Sequence, residues 1–165
     1  MKKRLYAAYG SNLNLPQMKQ RCPTAKVVGT SVLNNYELRF RGHRHAAVAT
    51  VEPCDGKSVP VLIWEIQPKD ERSLDFYEGA PRFYRQETMN FELDGNNVSA
   101  MIYVMNDGHE FGEPSAFYYD TIRQGYITSG FDESILDEAV EHSAEMAEDT
   151  GIKDWQFNFE YDDFD

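Results

Sequence analysis

Two stretches of this sequence carry side chains whose types and spacing could do chemistry. The first, Tyr9-Gly10-Ser11-Asn12-Leu13, follows a short apolar run and combines a glycine turn with a hydroxyl and a carboxamide. Backbone N–H groups exposed at such a turn suit a carboxylate, or a carbonyl oxygen gaining negative charge. An ordinary strand-to-helix turn has the same spacing. The second is Leu74-Asp75-Phe76-Tyr77-Glu78-Gly79-Ala80-Pro81. Here Glu78 ends a predicted helix and meets the negative end of its macrodipole, which costs the ionised carboxylate roughly 0.3–1 kcal/mol. Neighbouring aromatics add desolvation, and both effects push the carboxyl upward toward a pKa useful for acid–base work. A glutamate at a helix end is equally compatible with plain solvation.

Other candidates fail on spacing or chemistry. Asp55-Gly56-Lys57-Ser58 ends like a phosphate-binding loop, but Val51 stands where the first glycine is required, so a hairpin turn is the better reading. His43-Arg44-His45 would set two imidazoles on one strand face, whereas zinc needs three or four ligands and no matching pair occurs elsewhere. Cys22 and Cys54 sit beside prolines, and nothing around them predicts a lowered thiol pKa. Arg39, Arg41 and Arg44 could greet an anionic substrate or simply protect a sheet edge.

The elements that must position these groups form an α+β pattern. Arg4 to Tyr9 reads as a strand, and Asn14 with Pro16 opens a short helix ending near Cys22-Pro23. Extended structure follows over Lys26 to Phe40, broken near Asn34-Asn35, then strands over Ala46 to Glu52 and Val59 to Ile66 around a turn at Pro53-Cys54-Asp55-Gly56. Pro68 to Glu78 is a helix stopped by Gly79-Ala80-Pro81. Asp94-Gly95-Asn96-Asn97 joins Phe83 to Leu93 and Val98 to Met105 as a hairpin. Pro114-Ser115 opens a helix to about Gln124, and Asp132 caps another with Ile135, Leu136, Ala139, Val140 and Ala147 on one face. From Trp155 onward aromatics alternate with polar residues, which predicts a C-terminal strand or extension over 154–165.

Composition narrows the function classes. The 165 residues suit one domain, 1–165, able to bury a core without disulfides. A formal net charge of −12 argues against a nucleic-acid partner. No segment approaches the roughly 20 apolar residues that span a bilayer, and the run after Met1-Lys2-Lys3-Arg4 is too short for a secretion signal. A cytoplasmic location, with no membrane partner, is the expectation. Aromatic residues on the late helices and tail would suit a homodimer or finish the monomer's own core.

Taken together and in this order, Tyr9-Gly10-Ser11-Asn12-Leu13, Leu74-Asp75-Phe76-Tyr77-Glu78-Gly79 with Tyr84, and Tyr118-x-x-x-Ile122-x-x-Gly125-Tyr126 resemble the γ-glutamylcyclotransferase family, including its plant avirulence-induced-gene-like members. The resemblance runs from Tyr6 to about Phe131. It implies a compact mixed β-barrel with surrounding helices, a γ-glutamyl small-molecule substrate, and no metal or other cofactor. Glu78 matches the catalytic glutamate, Tyr9 to Leu13 match the substrate loop, and Tyr84, Tyr103 and Tyr118 match cavity-lining positions, with Tyr119 able to exchange with Tyr118. The implied reaction is attack of the substrate's own α-amine on its γ-carbonyl carbon, releasing 5-oxoproline and an amino acid or amine. A binding module that recognises the same ligand without turning it over is the alternative. The aromatic tail lies outside the resemblance.

Overall fold

The protein is described by a computed structural model that gives the backbone of residues 3–162 and the side chains of residues 3–149. One curled sheet organises it, with strand order β4-β5-β1-β3-β2-β6. The strands are β1 (Arg4–Ala8), β2 (Lys26–Gly42), β3 (Val48–Ile66), β4 (Tyr84–Leu93), β5 (Asn96–Met105) and β6 (Glu110–Phe111). The helices are α1 (Leu15–Arg21), α2 (Pro68–Glu78), α3 (Ala116–Ser129) and α4 (Glu133–Asp162). The curl brings β2 back toward β4, where the Ser31 hydroxyl donates to the Glu92 carbonyl at 2.6 Å. The result is a half-barrel.

At the centre of the sheet β1 runs antiparallel to the second half of β3, Arg4 opposite Ile66 and Ala8 opposite Leu62, and parallel to β5 at Tyr6 and Met101. Being covered on both sides, β1 buries Tyr6, Ala7 and Ala8 almost completely. Because β1 is five residues long and β3 nineteen, the first half of β3 has no strand on that side. This unoccupied stretch of β3 contains Ala49, which borders a hollow also lined by Gly10 and Glu78.

The β2–β3 pair departs from the expected breaks. Asn34-Asn35 and Asp55-Gly56 read as turns, yet both strands continue through them, and the register slips between Asn34 and Tyr36. Asn35 has φ 62° and its side-chain oxygen accepts from the Gly56 N–H at 3.2 Å, so the two turn-like sequences lie across from each other as a bulge in one long ribbon. The chain actually reverses over 43–47, which puts His43 and His45 in that turn and not on a strand face. Arg39 and Arg41 are committed to Glu52, and Arg39 also to Glu37.

Helix ends follow local chemistry. The Asn14 side chain accepts from the Gln17 N–H at 3.1 Å to start α1, and Ser115 caps α3 by accepting from the Tyr118 N–H at 3.1 Å. At the start of α2 the Gln67 N–H donates to Asp70 at 2.9 Å. Asp132 accepts from the Ser134 N–H at 3.0 Å ahead of α4, whose buried Ser143 donor-acceptor hydroxyl takes the Phe40 N–H at 3.0 Å. The strand expected from Trp155 is corrected: α4 continues to Asp162. Once a helix is nucleated each added residue gains a hydrogen bond, and no proline interrupts this one, whereas a strand needs an edge to pair with. Residues 163–165 of that expected strand lie outside the described residues.

Candidate active site

The chain leaves β1 through Tyr9 and Gly10 into a single 3-10 turn, Ser11–Leu13. That turn is wedged between β3 and α3. A Cβ on Gly10 would stand 3.3 Å from the Ala49 Cβ, and one on Gly125 would stand 2.4 Å from the Leu13 Cβ and 2.8 Å from its backbone carbon. Only glycine at position 125 lets α3 lie this close to the loop. Asn12 is buried and held by its side chain and carbonyl: its side-chain amide donates to the Tyr6 hydroxyl at 2.9 Å, its side-chain oxygen accepts from Arg21, and its carbonyl accepts the Trp64 indole N–H at 3.2 Å. Ser11 shares a hydrogen bond with the Tyr77 hydroxyl at 3.1 Å.

Across from the turn, Glu78 sits in the last turn of α2, which closes at Gly79. Its carboxyl and the turn line the same hollow, whose wall is Tyr6, Tyr9, Gly10, Ser11, Asn12, Ala49, Glu78, Tyr84, Tyr103 and Tyr118. The hollow holds about 20 Å³, room for roughly one water. Glu78 is half-buried, and among the described residues no hydrogen bond reaches its carboxyl. Burial therefore pushes it up to about 7, against a smaller opposing pull from the Arg21 guanidinium. Burial and then the Glu78 charge hold Tyr6 and Tyr9 protonated well above the ordinary phenol value, and the same carboxylate contributes at Tyr84 and Tyr118.

The tyrosines are fixed by backbone. Tyr84 donates to the Ala49 carbonyl at 2.5 Å, and the Ala49 N–H donates to the Tyr118 hydroxyl at 3.0 Å. These two phenols satisfy the backbone of β3 at Ala49 on the side away from β2, where no strand pairs with it. Tyr9 donates to the Tyr103 carbonyl at 2.5 Å, and the Tyr103 hydroxyl donates to Asp75 at 2.6 Å. Asp75 also accepts from Gln86 at 2.6 Å, tying α2 to β4 and β5 and so fixing where Glu78 emerges.

Nearly every residue singled out from the sequence lines this hollow. Leu13 does not: its side chain is fully buried under Gly125, and its N–H is spent on the Gly10 carbonyl at 3.0 Å. Between the two tyrosines of α3, Tyr118 faces the hollow, while the Tyr119 hydroxyl goes to Asp137 of α4. Sequence reading missed Tyr6, Ala49, Asp75, Arg21 and Tyr77. Tyr6 had a signal, since a tyrosine inside an apolar strand needs a polar partner for its hydroxyl. Ala49 had none. Neither cysteine is close to this chemistry: burial pushes Cys22 up to about 11, and a hydrogen bond to Glu37 pushes Cys54 up.

Comparison with known proteins places this geometry. The family described as "Gamma-glutamyl cyclotransferase, AIG2-like" matches residues 6–126. The chain belongs to that family. It is 27% identical over 135 residues to a human protein named gamma-glutamylcyclotransferase, covering 76% of this chain and 71% of the relative. A solved structure titled "Gamma-glutamyl cyclotransferase" superposes with TM-score 0.75 at 24% identity, covering 84% of this chain and 86% of the other. YkqA from Bacillus subtilis superposes with TM-score 0.74 at 19% identity over 88% of this chain and 56% of the other. The family's matched stretch contains every residue that lines the hollow.

Proposed function

We propose that this protein releases 5-oxoproline from a γ-glutamyl amino acid or amine, with Glu78 as general base and then general acid. The observation that carries the reading is the placement of Glu78 in the same hollow as Ser11 and Asn12, where burial pushes its carboxyl up to about 7. The names of the related proteins point the same way.

Ionised Glu78 takes a proton from the substrate's α-ammonium. The freed amine attacks the γ-carbonyl carbon, the five-membered lactam closes, and the bond to the leaving nitrogen breaks as Glu78 returns the proton to it. A carboxyl with a pKa near neutrality is present in both protonation states at working pH, so one residue serves both steps. Intramolecular attack spares much of the entropy of bringing reactants together once the γ-glutamyl chain is folded for closure. The 3-10 turn spends the Leu13 and Asn14 N–H groups internally, which leaves those of Ser11 and Asn12 as the donors for the α-carboxylate or the oxyanion.

The test is incubation with a panel of γ-glutamyl amino acids and γ-glutamyl amines while 5-oxoproline is measured. At least one compound is expected to turn over, and Glu78→Gln should slow it about 10²–10⁴-fold. Binding of such compounds without product, or near-normal turnover by the variant, would overturn the assignment.

A further inference from the structure

Next to the catalytic hollow lies a second, open one of about 650 Å³, lined by Arg21, Lys69, Arg72, Ser73, Phe76 and Tyr77. The two are joined by side chains: Ser11 and Asn12 belong to the inner wall, and they bond to Tyr77 and Arg21 of the outer one. Arg21 also lies over the Tyr77 ring, 3.4 Å from its centroid.

The charge of this outer hollow is out of keeping with the chain, whose net charge is −12. Lys69, Arg72, Ser73 and Phe76 are spaced 0, 3, 4 and 7 along α2 and so share one helical face. Three of the four acids of α2 are engaged away from that face: Asp70 with Thr24, Glu71 with Arg4 and Gln86, and Asp75 with Gln86 and Tyr103; the fourth, Glu78, lines the inner hollow. Among the described residues Arg21, Lys69 and Arg72 form no ion pair, although Arg4, Arg39, Arg41, Arg85 and Arg123 all do. Three cations thus converge on one cavity, Lys69 and Arg72 in no ion pair and Arg21 acting on Glu78 only through space, beside an aromatic ring, Phe76, left 92% exposed.

We infer that this outer hollow is the leaving-group subsite, and that it selects a leaving amine carrying two carboxylates: an acidic amino acid attached through its α-nitrogen to the γ-glutamyl group. The inference rests on the lactam-forming reading of the inner hollow. Arg21, nearest the reacting centre, is placed for the first carboxylate, and Lys69 with Arg72 for the second. Phe76 offers its face to the intervening methylenes.

The test compares γ-glutamyl-glutamate with γ-glutamyl-glutamine, which match in shape and differ by one charge. The wild-type protein should favour the glutamate compound about tenfold in kcat/KM, the worth of one charge-assisted hydrogen bond. Combined Lys69→Gln and Arg72→Gln should collapse that ratio toward one, and so should raised salt, because these cations are exposed and easily screened. Equal rates in the wild type, or a ratio that survives in the double variant, would overturn the subsite while leaving lactam formation standing. Failure of every γ-glutamyl compound to yield 5-oxoproline would instead defeat the underlying reading. Calorimetric titration with the same two dipeptides then decides the subsite independently, and equal affinities would refute it.

Discussion

Replacing Glu78 with Gln should make the protein more stable in alkaline solution while it ceases to work. The Glu78 carboxyl moves from an ordinary 4.5 in the unfolded chain to about 7 in the fold, chiefly by burial. The folded state therefore holds its proton more tightly. Below about pH 4.5 both states are protonated and the group costs nothing. Between about 4.5 and 7 the unfolded chain ionises first, so stability falls as pH rises, and above 7 the full cost is present. That displacement corresponds to about 3 kcal/mol. Glutamine keeps the shape and never ionises, so Glu78→Gln should recover up to that amount near pH 8. In a chain of this size it amounts to roughly 6–12 °C in Tm. Urea or thermal denaturation of both proteins at about pH 8 and pH 5 reads it directly, and the gap should shrink to about 1 kcal/mol or less at the lower pH. A variant no more stable than wild type at pH 8, or a gap independent of pH, would show that the carboxylate is not desolvated and would remove the basis for its raised pKa.

Two further outcomes follow from the same geometry. Arg21 is the charge that holds Glu78 down, so Arg21→Gln should move the ascending limb of the kcat/KM–pH profile above about 7, whatever it does to the absolute rate; a limb that stays in place or moves down refutes the coupling. Gly125→Ala would press a methyl group to 2.4 Å from the Leu13 Cβ, forcing α3 off the loop. It should cost about 1–3 kcal/mol in a urea titration and lower turnover as well, because Tyr118 rides on α3; wild-type stability would contradict the close packing.

How much of this was legible in the sequence depended on how local the deciding physics was. Asn14, Ser115 and Asp132 cap helices within a few residues of themselves, and Asp94-Gly95 turns a hairpin because both adopt positive φ, at 51° and 80°. The β2–β3 ribbon was not legible, because Asn35 and Asp55-Gly56 carry turn residues that become a bulge only when placed opposite each other across two strands. The tail misled in the other direction: alternation from Trp155 has a strand's period, but an uninterrupted helix reaches it first. In the site, Gly10, Ser11 and Glu78 were visible by type and spacing. Choosing Tyr118 over Tyr119 was not possible, since adjacent helical residues point about 100° apart and only the positions of Ala49 and Asp137 say which one turns inward.

The two sides of the hollow at Glu78 are built to different tolerances, and this bears on where a substrate would enter. Behind Glu78, the phenols of Tyr9, Tyr84 and Tyr118 bond to the backbone of buried strands, so shifting any of them breaks sheet as well as side chain. In front, the closure consists of side chains alone: Ser11 to Tyr77, Arg21 to Asn12, and Arg21 stacked on Tyr77. Each such bond is worth about 1 kcal/mol net, with somewhat more where Arg21 is charged, and Tyr77 is 44% exposed. If the substrate is the γ-glutamyl compound proposed above, a cavity of about 20 Å³ would have to widen to admit it, and the side closed by side chains alone is the weaker one. On the lactam-forming reading, moving Tyr77 and Arg21 aside would open the inner hollow toward the basic one. Entry of the substrate and reception of its leaving group would then be one movement, and the guanidinium released from Asn12 would be free to meet an incoming carboxylate.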